Sequence, residues 1–334
     1  MKKISFAFVL LALCALALSA RAATLVVLNK AEQSASLIDP ETGKTITKLP
    51  VGRGPHELVV TPDGRTAYVG NFGRFGVFPP GDTTHTQAGN TITVLDLAER
   101  KVKGTFDFGT NTGQHGFAVS RDGKYVWVTS ETPQSLLEID PASGKILNQW
   151  KTNQDRSHLV VVTTDEKKFY VTNTVSGSVS VIDRASGAVK VIPVGAGAEG
   201  ITIAPDGHEV WVAWRTDNKI SVIPTAKDEI VETFAAGGEG PQRVQFTPDG
   251  KEVWVSNVRN DTLTVFDAKS RKMVATLNVG KGPAGIVFSP DGRRGYFALS
   301  GANQVAVIDV PARKVIQTFN TGVEPDGIAW AAMR

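Results

Sequence analysis

The chain is expected to be all-β, a seven-bladed β-propeller in which one blade is closed by strands from both ends of the sequence. Three observations carry this expectation. A twenty-residue hairpin phrase occurs seven times, a second phrase built on a tight turn occurs six times between the copies, and the blade left incomplete at the C-terminus finds its missing strands at the N-terminus.

The hairpin phrase runs from QSASLIDPETGKTITKLPVG (33–52) through GSVSVIDRASGAVKVIPVGA (177–196) to NQVAVIDVPARKVIQTFNTG (303–322). Each copy alternates apolar and polar residues, passes a polar or Gly-containing stretch, and alternates again, the pattern of two short antiparallel strands. The second phrase includes TPDGRTAYVGN (61–71), SRDGKYVWVTS (120–130) and TPDGKEVWVSN (247–257). Its turn seats Gly where a positive φ is needed, with an apolar strand on either side. The turn residues Asp122, Asp165, Asp206, Asp249 and Asp291 are separated by 43, 41, 43 and 42 positions. Asp63 lies 59 before Asp122, because residues 72–89 are inserted in the first blade. Four strands in a repeat of this length make one propeller blade. After the sixth blade the chain reads GVEPDGIAWAAMR (322–334), enough for one inner strand, while ATLVVLN (23–29) and the first hairpin copy supply three outer strands. Pairing them removes an open sheet edge.

The tetrapeptide YVTN (170–173), its variants YVGN (68–71) and WVSN (254–257), the PDG turns and the VID endings carry a resemblance. On these motifs the chain resembles the YVTN-repeat propellers and, among them, the YncE-like proteins of the bacterial envelope, over essentially all of residues 23–334. The resemblance implies the fold. It leaves the activity open, because related propellers include lactonases, lyases, cell-surface proteins and haem-binding domains. No WD dipeptide ends the strands, which disfavours the WD40 class. Trp150, in a stretch faintly similar to the tryptophan motif of quinoprotein dehydrogenases, is expected to serve packing.

Residues 1–22 read as a secretion signal: Lys2 and Lys3, an apolar run from Ile4 to Leu18, then Ala20-Arg21-Ala22 as the cleavage site. The apolar run is too short to anchor the protein in a membrane. Removing the segment takes Lys2, Lys3 and Arg21 from the 36 basic residues, leaving 33 against 33 acidic ones. A neutral chain offers no electrostatic footprint for nucleic acid. The single Cys, Cys14, leaves with the signal, so thiolate metal sites, cysteine nucleophiles and covalent CxxCH haem attachment are excluded. A periplasmic or secreted monomer is expected.

The candidate chemistry emerges when the inner strands are aligned. Leu58, Phe117, Val160, Ile201, Val244, Ile286 and Ile328 share one position, and two residues earlier stand His56, His115, His158, Glu199, Gln242, Ala284 and Asp326. These seven lie at the start of the strand nearest the central channel, all towards one mouth. The repeat does not demand His there, since four blades hold other residues. Three neutral imidazoles and a carboxylate on adjacent blades suit Zn, Mn, Fe, Ni or Cu as divalent ions. His56, His115, His158 and Glu199 are therefore the expected metal ligands. The resemblance adds that streptogramin lyases, also seven-bladed, use a His/Glu metal site at such a mouth. Arg215, Arg243, Asp326 and, in the insertion, Arg74 and His85 are candidates for holding a ligand. His208, beside a turn on the opposite face, is expected to be solvated, and Asn71, Asn173 and Asn257 to cap turns.

Three functions remain open on these residues. One is a metal or ligand site acting on a small molecule, lactonase- or lyase-like. Another is a non-catalytic scaffold that recognises an envelope component. The last is a carrier of a non-covalent haem-type cofactor.

Overall fold

The computed structural model describes residues 23–73 and 87–333; residues 1–22 and the insertion residues Arg74 and His85 lie outside the described residues. The described elements are 28 strands in seven four-stranded sheets. Six sheets run in chain order, beginning with inner strands Pro55–Val60, Thr112–Val119, Ser157–Val162, Ala198–Ile203, Pro241–Phe246 and Pro283–Phe288 (blades one to six). The seventh has Pro325–Ala331 innermost, followed by Thr24–Asn29, Ser34–Ile38 and Thr45–Pro50. Leu25 pairs with Trp330, Val26 with Ala329 and Val27 with Ile328, so the chain ends close the ring by strand pairing. No described helix is long and apolar enough to cross a membrane.

Burial explains the strand patterns. The second strand of each blade lies between neighbouring blades on both faces, so its apolar run is continuous: Glu209–Trp214 is buried at every position but its first. The fourth strands border solvent and are mostly exposed, as in Met273–Asn278, where only Leu277 is buried. Each of the seven hydrophobic clusters fills one gap between adjacent blades; Trp211, Val222, Val244, Val255 and Phe266 make the one between blades four and five. A fully buried side chain of this kind contributes about 1.5–3 kcal/mol, and repeating the contact around a closed ring leaves no weak end. Trp150 is part of this packing, with its ring 5.2 Å from that of Phe169.

The repeated Asn does more than cap a turn. Asn173 Nδ2 donates to Ser178 Oγ at 3.1 Å and Ser180 Oγ at 2.9 Å on the next strand. Asn71, Asn257 and Asn29 make the same pair of bonds to Thr91 and Thr93, Thr262 and Thr264, and Ser34 and Ser36. These amides are buried and tie the second strand to the third. The turn-capping expectation is thus corrected: a buried amide is satisfied by the hydroxyls across the ladder. The threonine of YVTN has its own task, since Thr172 Oγ1 donates to the Glu199 carbonyl at 3.0 Å on the next blade. Thr129 does likewise to the carbonyl of His158 at 2.6 Å. In these two blades the threonine therefore positions the first residues of the neighbouring inner strand.

Candidate functional site

In all seven blades the ladder between the inner and second strands shifts register near the start of the inner strand, for example between Pro55 and Leu58, Gln114 and Phe117, and Ser157 and Val160. Such a bulge re-aims the side chains around it. It falls on the aligned position holding His56, His115 and His158 and on the residue after it. Blades two, four, six and seven have Gly at that following residue. A Cβ at Gly116 would stand 2.4 Å from the His158 carbonyl oxygen, and one at Gly327 would stand 2.4 Å from that of His56. Glycine lets adjacent inner strands approach this closely, and this brings the imidazoles together.

The rings form a stack. His115 and His158 have centroids 3.8 Å apart at 30°, and His56 and His115 are 5.3 Å apart at 52°. Phe72 sets its ring edgewise to His56 at 4.7 Å and to His115 at 4.9 Å. His56 Nδ1 lies 2.9 Å from the Gly54 carbonyl, which fixes the proton on Nδ1 and leaves Nε2 basic. The Nδ1 atoms of His115 and His158 are buried with no hydrogen-bond partner among the described residues. Burial pushes His56 down to about 4, aided by the Lys30 ammonium. His115 and His158 are held well below the usual imidazole range, again by burial first, then by His158 for the former and Arg243 for the latter. All three are neutral at physiological pH.

Beside the imidazoles runs a buried network of charges. Glu199 accepts from Arg215 Nη1 at 3.2 and 3.1 Å, and Arg243 Nη1 lies 3.7 Å away. Arg243 Nε donates to Glu57 Oε1 at 3.0 Å, and its Nη2 bonds the same oxygen. Asp326 is 3.6 Å from Arg243 and takes a 3.0 Å bond from Lys30, which is also 3.5 Å from Glu324. Burial works against the charges of Lys30, Arg243 and Asp326, yet their partners outweigh it. Lys30 and Arg243 are raised, and Asp326 is held well below the usual carboxylate range by Lys30 and Arg243. Glu57 goes the other way, pushed up by burial, with Asp326 adding to it and Arg243 opposing.

The structure therefore brings together His56, His115 and His158, and it gathers Arg215, Arg243, Glu199 and Asp326 into one network. It sends Glu199 to two guanidiniums instead of leaving it a free carboxylate. His208 is exposed, as its turn position suggests. Glu57, Lys30 and Phe72 were not singled out in the sequence. Glu57 and Arg243 share the position after the aligned histidines, where four blades hold Gly. Lys30, Phe72 and Arg215 each directly follow a second strand. Reading those two columns as well would have found them.

Two imidazoles on one tetrahedral ion, with metal–nitrogen bonds of about 2.0–2.1 Å, place their centroids about 5 Å apart. The His56–His115 pair matches that spacing, whereas the 3.8 Å His115–His158 stack is too close. Among the described residues no group of three or more His, Cys, Asp or Glu side chains is arranged to hold a metal ion.

The fold and the mouth define the class: a seven-bladed propeller with a largely buried cluster of imidazoles and ion pairs at one end of its channel. Residues 149–289 match the family described as the YNCE-like beta-propeller. No curated protein matches the chain. Among solved structures it is similar to the Pseudomonas aeruginosa periplasmic gluconolactonase PpgL, at 19% identity and a TM-score of 0.73, with 93% of this chain and 99% of that one covered. A candidate 6-phosphogluconolactonase of Bacteroides fragilis aligns over the same shares at 13% identity and a TM-score of 0.73. The dihydro-heme d1 dehydrogenase NirN aligns at 16% identity and a TM-score of 0.62, covering 93% of this chain and 75% of that one. At these identities the likeness is one of fold.

Proposed function

We propose that the protein is an exported, periplasmic or secreted, propeller that binds a small polar molecule at the imidazole mouth of its channel. The observation that carries this reading is three neutral imidazoles from three consecutive blades, His115 and His158 buried and His56 half-buried, with the Nδ1 atoms of the buried pair unpartnered among the described residues. Unpartnered buried polar atoms are costly, about 1–3 kcal/mol each, and a polar ligand would relieve that cost. The signal-like pattern of residues 1–22 and the fold likeness to a periplasmic gluconolactonase support the location.

A divalent metal on the same histidines is the catalytic form of this proposal, with lactone-like opening of a small ester as the reaction class. The fold likeness to two proteins named as lactonases supports it. So does the His56 arrangement, in which one ring nitrogen bonds a backbone carbonyl and frees the other as a ligand. It requires His158 to turn out of its stack, with Glu199 remaining on its arginines. Without a Lewis acid the imidazoles are weak bases, because a general base works best with its pKa near the working pH and these lie far below it.

One experiment separates the forms. Protein purified without a His tag is assayed for bound metal, and thermal shifts are screened with divalent ions, aldonolactones and sugar acids, for the wild type and His115→Gln. A stabilising ligand or ion that acts on the wild type only supports the mouth as the site, and lactone hydrolysis that follows metal loading supports the catalytic form. No stabilisation of the wild type by any of them, or equal stabilisation of the variant, overturns the proposal in favour of an envelope-binding scaffold.

A further inference from the structure

Glu57 and Arg243 do more than border the mouth. They come from blades one and five, nearly opposite each other, and their ion pair crosses the channel. In the inner strands they stand one residue past the histidine position and one residue before the position that all seven blades fill with an aliphatic or aromatic side chain. On the far side of this pair lies a cavity of about 230 Å³, walled by that ring of Leu, Phe, Val and Ile and by Leu159, with Glu57, Arg243 and Gln245 as its polar part.

We propose that this chamber is a second binding site, distinct from the imidazole mouth, for a small neutral amphiphile: an aliphatic or aromatic body ending in a hydroxyl or carbonyl. The volume is sufficient, since an engineered apolar cavity of about 150 Å³ binds benzene. Ligand sites combine apolar side chains with convergent polar groups; here the ring of apolar side chains supplies the first, and Glu57, Arg243, Gln245 and backbone atoms make the exposed lining more polar than apolar. The charge arrangement selects a neutral head. Arg243 and Glu57 neutralise each other, so an ionic head would have to break their buried pair, which is strongly unfavourable. A hydroxyl or carbonyl needs only a guanidinium N–H or the Gln245 amide.

The test uses the full mature protein with 1-hexanol and, as its charged counterpart, hexanoate, both titrated by calorimetry. The wild type should bind hexanol saturably and hexanoate at least tenfold more weakly. Ile286→Phe, which fills the chamber, should weaken hexanol binding at least tenfold, and volume-conserving Ile286→Leu should keep it within about threefold. Leu58→Phe repeats the filling on another blade, and thermal melts verify that each variant folds. His115→Gln should leave hexanol binding unchanged, so failure at the mouth and failure in the chamber are told apart. Absence of saturable hexanol binding to the wild type overturns the proposal. So does undiminished binding by both folded Phe variants, or hexanoate binding as tightly as hexanol.

Discussion

His56 offers the sharpest quantitative test of the mouth's electrostatics. In the folded protein its pKa is down at about 4, through burial and the nearby Lys30, against about 6.5 in an unfolded chain. Between those values the unfolded state binds the proton and the folded state does not, so stability falls as pH drops. The contribution is intact above pH 6.5, declines through the interval and is spent below about pH 4. At pH 4.5 the loss amounts to about 2.5 kcal/mol, at 1.36 kcal/mol per pH unit. For a chain of roughly 300 residues the unfolding entropy is about 0.6 kcal/mol per kelvin, so the melting temperature should fall by about 4 °C from this residue alone. The assay compares thermal melts of metal-free wild type and His56→Gln at pH 7.5 and pH 4.5. Glutamine has an amide to donate to the Gly54 carbonyl and does not titrate, and the acid groups common to both proteins cancel in the comparison. The wild type should lose about 4 °C more than the variant. Equal losses would mean that His56 is solvated and titrates normally, and the account of a desolvated mouth would be wrong.

Two further perturbations probe the surroundings. Arg243→Met removes the ion-pair partner of Glu57 and should destabilise the protein by about 3–5 kcal/mol at pH 7.5. Part of this should return as the pH is lowered and Glu57, already raised, takes up a proton; a pH-independent deficit in denaturant melts would contradict the network. Asn173→Ala strips three bonds, two donated to Ser178 and Ser180 and one accepted from Ser157 at 3.1 Å, and should cost about 3 kcal/mol. A loss below about 1 kcal/mol would show the amide to be dispensable.

The fold was legible because a propeller repeats its instructions. Seven hairpins and six turns, five of them Asp-Gly and one Asp165-Glu166, each state the same local geometry, and one misread blade would have been corrected by the others. The histidines were legible for the same reason: alignment puts His56, His115 and His158 at one position, and a shared position on adjacent inner strands means proximity. What alignment could not give is where a long side chain goes once there. Glu199 shares the histidines' position, yet Arg215 and Arg243 draw its carboxylate into ion pairs. Lys30 reaches Asp326, 296 positions away in sequence, because the closing blade brings the two ends side by side. The Asn ladder escapes a turn-capping reading because its hydroxyl partners lie five and seven residues on for Asn29, Asn173 and Asn257, and twenty and twenty-two on for Asn71, across a strand pairing that register alone reveals.

The distribution of variation around the ring carries the last step. Positions that build the blades vary little from repeat to repeat: the turn Asp, the aliphatic or aromatic residue of the inner strand and, in five blades of seven, the hydroxyl or amide ending the second strand. Two adjacent positions depart from this. One holds three His, Glu, Gln, Ala and Asp; the next holds four Gly, Glu57, Leu159 and Arg243. Packing constraints at equivalent places in equivalent blades are alike, so packing alone cannot require seven answers to differ. What differs around the axis is what each blade presents to the channel. There glycine clears space, histidines of blades one to three make a neutral, hydrogen-bonding wall, and the acids and bases of blades one, four, five and seven form an ion-paired barrier below it. A closed ring spends its symmetry on stability and keeps its asymmetry at the axis, and the axis is where a ligand should be sought.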